Sequence, residues 1–213
     1  MSKNLAAIFA ALMTAVTVWA LSSCGADPMQ NVSERRSAFY TAADDELSLT
    51  AVSGVREDPF LLDGKAGATS PYTLITVVPN LFNVDAIYTY TAKTAEREFG
   101  GALVVHPFAA SFSAEFPFET VGGLCVTVVC GGTARNYEMT SRLSENTIAY
   151  DRAIDAAKTE IRPDGSYEIR ARLISDPFGG GELCWHVSFF FESGKESGVL
   201  LDAVTAKVMA VKR

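Results

Sequence analysis

The sequence predicts a mainly β protein: an antiparallel β-sandwich over residues 47–143, followed by an α+β part over residues 144–213 with one helix and a three-stranded antiparallel sheet. Three observations predict it. Apolar and polar residues alternate through the middle of the chain, the period of a strand with one buried face. Glycine- and proline-rich turn clusters separate these runs at short intervals, with no helical stretch between them. After Ser144 the apolar period lengthens to that of a helix and then returns to two.

Composition sets the bounds. The chain has 213 residues, 48% of them hydrophobic and 20% charged, enough apolar surface to offset chain entropy in a folded domain. Its net charge of −7 and the lack of any basic cluster exclude nucleic acid as a partner, since phosphate binding needs grouped Lys and Arg.

The first element is a leader. Lys3 is followed by a charge-free run from Leu5 to Leu21, which as a helix spans ~26 Å against a hydrocarbon core of ~30 Å. Small residues and a cysteine end it, and no basic stop-transfer cluster follows before Arg35 and Arg36. The stretch Leu21-Ser22-Ser23-Cys24 resembles the lipobox of bacterial lipoprotein signal peptides. The resemblance implies that Leu21, Ser22 and Ser23 are the recognition residues of a signal peptidase, and that residues 1–23 are removed. It also implies that Cys24 receives a diacylglycerol and becomes the first residue of the mature chain. Two acyl chains hold a protein stably on a bilayer, where one alone does not. The alternative is an uncleaved transmembrane anchor with a bystander thiol. Residues 24–46 are polar and read as a tether, with at most a short amphipathic helix around Ser33 to Ala42.

The strands come next. "ELSLTAVSGV", "YTLITVV", "AIYTYTA" and "GALVVHPF" are β-rich runs set between turn clusters such as "DGKAGATSP". "FAASFSAEFPF" alternates most clearly. Phe108, Ala110, Phe112, Ala114, Phe116 and Phe118 share one parity, read as sheet core, and Pro117 marks a strand end. "LCVTVVC" lies between glycine pairs, and "RNYEMTSRL" follows it. The architecture most similar to this series is the Ig- or fibronectin-like sandwich, without its Cys…Trp…Cys spacing.

The helix is expected in "SENTIAYDRAIDAAKTEI", with Asn146 or Thr147 as N-cap and Pro163-Asp164-Gly165 as the stop. Strands resume in "SYEIRARLI", "LCWHVSFFFE" and "VLLDAVTAKVMAVKR". Here Trp185-His186-Val187-Ser188-Phe189, Gly198 to Ala203 and Thr205-Ala206-Lys207-Val208 resemble the PepSY-type module of bacterial envelope proteins. Ala206 stands where that family usually has glycine. The resemblance implies a role in restraining secreted proteases. From the residues themselves, Asp202 and Thr205 fit a side-chain-bonded turn, Trp185 fits the core, and His186 falls on the opposite face.

With Cys24 assigned to lipid, Cys125, Cys130 and Cys184 remain, an odd number. Cys125 and Cys130 lie ~16 Å apart along one strand and on opposite faces, too far to bridge. They read as buried hydrophobes, with a pair between Cys184 and either of them left open. No metal spacing, phosphate loop, nucleophile elbow or cofactor signature is present, and His106 and His186 stand in unrelated contexts. The expectation is a non-catalytic lipoprotein with no cofactor. It is held to the membrane through Cys24 and binds or modulates an envelope or secreted protein. The alternatives are a structural or carbohydrate-binding surface lipoprotein and a hydrolase with an unfamiliar site. Cys24→Ala is expected to abolish both labelling with radioactive palmitate and removal of the leader, read as a mobility shift; continued labelling overturns the lipobox reading.

Overall fold

The computed structural model describes residues 31–213, and Leu21, Ser22, Ser23 and Cys24 lie outside the described residues. Among the described residues the mainly β expectation holds: thirteen strands and one helix. The strands are β1 (Val32–Ala43), β2 (Leu47–Glu57), β3 (Thr69–Pro79), β4 (Tyr88–Lys93), β5 (Glu98–Ala102), β6 (Val104–Val105), β7 (Phe112–Phe116), β8 (Leu124–Cys130), β9 (Thr133–Ser141), β10 (Tyr167–Ser175), β11 (Leu183–Phe191), β12 (Glu196–Asp202) and β13 (Val208–Lys212). The helix is α1 (Tyr150–Ile161).

The two-part arrangement is corrected. Instead of a sandwich followed by a separate sheet, one continuous thirteen-stranded sheet runs through residues 31–213, which form one compact unit. The strand that joins the halves lies inside the expected tether. Residues 32–43 are β1, neither tether nor helix, and β1 pairs with three partners. Its first half pairs in parallel with β10, as in Glu34 with Arg170 and Arg35 with Ala171. One side pairs along its length with β2. Its last residues, Tyr40 and Thr41, pair with Ser141 and Thr140 of β9. A bulge between Arg36 and Ala38 redirects β1 from β10 towards β9. Gly54 faces this bulge across the β1–β2 pair, where a Cβ would lie 2.0 Å from the Arg35 carbonyl oxygen. The close approach therefore requires glycine.

From β1 the sheet curls into a nearly closed barrel through β2, β3, β7, β6, β5, β4, β8 and β9. Residues 98–105 close it: β5 pairs with β4, β6 pairs with β7, and Leu103 between them donates its N–H to the Tyr88 carbonyl at 2.9 Å. Closure removes sheet edges that would otherwise stay unpaired. The interior holds Tyr40, Leu49, Ile75, Val77, Phe112, Phe116, Val126 and Val128, all buried. The expected phenylalanine stripe is shorter than its parity suggests. Phe112 and Phe116 are core, whereas Phe108 lies beyond the strand and is 93% exposed.

On the other side of β1, strands β10 to β13 form an antiparallel series that α1 covers. The last expected strand is in fact two, β12 and β13, so the helix is followed by four strands and not three. Ala153, Ile154 and Ala157 of α1 pack in a core with Ile169, Leu173, Trp185, Val187, Phe189, Val199 and Leu201. The helix begins after Ala149, not at Asn146 or Thr147; the Thr147 hydroxyl instead accepts the Ser144 N–H at 2.9 Å. It ends at Arg162 in the left-handed conformation, one residue before Pro163. The Trp185 indole N–H donates to the Ile148 carbonyl at 3.0 Å and ties β11 to the segment entering α1. Among the described residues no helix is long and apolar enough to cross a membrane.

Candidate functional site

Barrel closure leaves β13 as a free edge. It pairs only with β12, and all five of its residues are exposed. Val208, Met209 and Val211 are apolar and between 38% and 40% exposed, so the edge offers side chains as well as unpaired backbone groups. Ion pairs hold its C-terminal end in place. Lys212 pairs with Glu196 at 2.5 Å, and Arg213 reaches Glu160 of α1 at 2.9 Å. The Cys184 thiol lies 3.4 Å from the Met209 sulfur, beneath the strand. A pocket of about 390 Å³ adjoins this end, lined by Ile161, Arg162, Phe191, Lys195, Ser197 and Arg213. The pocket lining sets three cationic side chains, Arg162, Lys195 and Arg213, against one carboxylate, Asp164.

The turn that sets β13 in place forms as expected. Asp202 Oδ1 accepts the Val204 N–H at 3.1 Å, the Thr205 N–H at 2.7 Å and the Thr205 hydroxyl at 2.7 Å. The Thr205 hydroxyl and N–H bonds hold the Asp202 carboxyl below its ordinary value. Ala206 takes φ 60°. That is the position where glycine is usual in the PepSY pattern, and the left-handed conformation costs a non-glycine residue ~1–2 kcal/mol.

A buried charge network binds the β13-bearing lobe to β1. Glu34 is 3% exposed. Its Oε2 accepts Arg172 Nε at 2.7 Å and its Oε1 accepts the Tyr72 hydroxyl at 2.9 Å, while Arg36 Nε forms an ion pair with Oε1 at 3.4 Å without a hydrogen bond. Burial alone would raise the Glu34 carboxyl. The charge and hydrogen bond of Arg172, with Arg36 and Tyr72, outweigh burial and hold it below its ordinary value of 4.5. Burial, with the Glu34 charge beside it, pushes Tyr72 up to about 12. Beside this network Arg170 bonds Glu168 at 2.9 Å and the Leu61 carbonyl at 2.6 Å, with Phe60 stacked 3.8 Å from its guanidinium. The segment between β2 and β3 is therefore strapped onto β10.

The remaining candidates are not brought together. Trp185 is 2% exposed in the core, whereas His186 sits beside Ser188 on the opposite face of β11 and His106 in the turn before Phe108. Burial, followed by the Arg172 charge, lowers the His186 imidazole. Cys125, Cys130 and Cys184 are free, and Cys125 is exposed, which corrects the expectation of three buried thiols. Among the described residues no group of three or more His, Cys, Asp or Glu side chains could hold a metal ion. No apolar period in "VTAKVMAVKR" marks β13 as an edge, because edge status depends on what the rest of the sheet pairs with. No protein-family model, curated protein or solved structure matches this chain. The fold is mainly β: a nearly closed barrel sharing its sheet with a helix-covered antiparallel lobe.

The Glu34 network makes a pH prediction. A carboxyl depressed in the fold contributes stability above its unfolded value near 4.5 and loses it as pH falls through its folded value. Glu34→Gln leaves Arg172 and Arg36 without their counter-charge and is expected to cost ~3 kcal/mol at pH 7. In urea titrations from pH 7 down to 3 the deficit should shrink as pH falls below 4.5; a constant deficit would remove Glu34 from the account.

Proposed function

We propose that this chain is a non-catalytic lipoprotein of the bacterial cell envelope, anchored through a lipid on Cys24, that binds and modulates another envelope protein. The partner suggested by the PepSY-like residues Trp185 to Val208 is a secreted protease. The observation that carries the reading is β13. It is an exposed, unpaired strand edge beside a cationic pocket, in a molecule whose other strands are mostly closed into a barrel. An extended acidic segment of a partner adds to such an edge by main-chain hydrogen bonds, with side-chain pockets supplying selectivity. Ala206 in the left-handed conformation supports the PepSY comparison, since the local backbone is the one glycine adopts most readily. For the carbohydrate-binding alternative the stripe offers only Phe108, which is exposed, since Phe112 and Phe116 are buried.

Addition of the mature chain, Cys24 to Arg213, to proteases of the same envelope is expected to slow at least one of them. The Ala210 N–H faces β12 in this register, so the open side of β13 presents the Val211 N–H. Val211→Pro removes that donor and is expected to abolish the effect while thermal melting stays within a few degrees of the parent. Unchanged rates for every protease tested, or full inhibition by Val211→Pro, would defeat the proposal.

A further inference from the structure

The barrel has a second exposed feature, far from β13. The turns after β1, β3, β6 and β8 gather at one end of it. Leu47 pairs with Pro79, Val105 with Phe112, and Tyr88 with Cys130. Asn80 donates its backbone N–H to the Glu46 carbonyl at 2.8 Å, and the Phe82 ring leans on Phe112 with centroids 5.5 Å apart. Around this framework the apolar side chains turn outwards: Leu81 is 90% exposed, Ile87 79%, Val84 59%, Val104 67% and Phe108 93%. Scattered apolar residues on a surface need no explanation. Five at one end of the barrel, four on the loops after β3 and β6 and Val104 on β6 itself, mark an interaction site.

Charge decides what covers them. Asp44, Asp45, Glu46 and Asp85 are all exposed around the apolar residues. The cation beside them, Arg135, is engaged by Asp44 at 3.1 Å and by Glu46. A cleft of about 220 Å³ opens in this rim, lined by Glu46, Leu47, Tyr88, Cys130, Thr133 and Arg135. An acidic rim repels anionic lipid headgroups, and it repels an identical rim on a second copy.

We infer that the end of the barrel formed by Leu81, Val84, Ile87, Val104 and Phe108 docks a second protein, one presenting apolar side chains flanked by lysine or arginine. The acidic rim and the Glu46–Tyr88 cleft receive the basic side chains, and the apolar loops supply the buried centre.

The test uses the full chain expressed in its own cells with the photoreactive residue p-benzoylphenylalanine at position 87 or 108, or at Val121 as an exposed control away from these loops. Positions 87 and 108 are expected to give one discrete protein adduct, and Val121 none. Asp85→Lys together with Asp45→Lys is expected to reduce the adduct about tenfold, because like charges then face the partner. Adducts with phospholipid, an adduct at twice the chain's own mass, no adduct, or an adduct indifferent to the charge reversals would each overturn the inference. Repeating the measurement in Val211→Pro separates it from the β13 reading: the adduct should persist there, and its loss would also count against a distinct surface.

Discussion

Everything in this fold depends on β1 serving two lobes. A strand has two hydrogen-bonding edges, and β1 spends one on β2 along its whole length. The other edge is divided: Val32 to Arg35 pairs with β10, and Tyr40 and Thr41 pair with β9. The bulge at Ser37 and the absence of a side chain at Gly54 make that division geometrically feasible, because the bulged backbone presses against the neighbouring strand. Neither lobe is complete without β1. The barrel lacks its closing strand and the helical lobe lacks its innermost neighbour.

The charges follow from this geometry. At the division β1 carries Glu34, Arg35 and Arg36, residues that would be awkward in a sheet core but suit a junction. Glu34 is buried and answered by Arg172, Arg36 and Tyr72, drawn from β10, β1 itself and β3. Arg35 lies over the Tyr150 ring at the start of α1, 4.9 Å from its centroid. The junction is thus secured by interactions that only one register satisfies, since a one-residue slip would place each charge on the wrong face. A buried ion network contributes little net stability compared with apolar packing, and its effect here is to specify how the lobes meet.

Much of this was legible from the residues, and the gaps have physical causes. The α1 segment and the turn at Asp202–Thr205 were readable because helical period and side-chain-bonded turns are local. β1 was not, because "VSERRS" carries five polar or charged residues in its first six positions and hides the alternation. The signal that would have found it is Ala38, Tyr40 and Ala42, which share a parity on the barrel side. Barrel closure was not legible either, since it depends on a two-residue strand, β6, and one hydrogen bond from Leu103. Phe108 was misplaced because alternation continues past the point where the strand ends. The β13 edge and the apolar loops emerge only when it is known which strands lack partners and which side chains lack cover.

The two exposed surfaces suit a protein that is held at one place and engages others. β13 lies in the helical lobe and the apolar loops at the far end of the barrel, so a rigid link between lobes keeps their spacing fixed. That rigidity is the central claim, and simultaneous unfolding measures it. In the chain beginning at Cys24, Trp185 is the only tryptophan and reports the helical lobe, while amide exchange in β8 reports the barrel. The account predicts that both lose their native signal at the same urea concentration, as one cooperative unit. Exchange of the β8 amides at a urea concentration where Trp185 fluorescence is still native would contradict it.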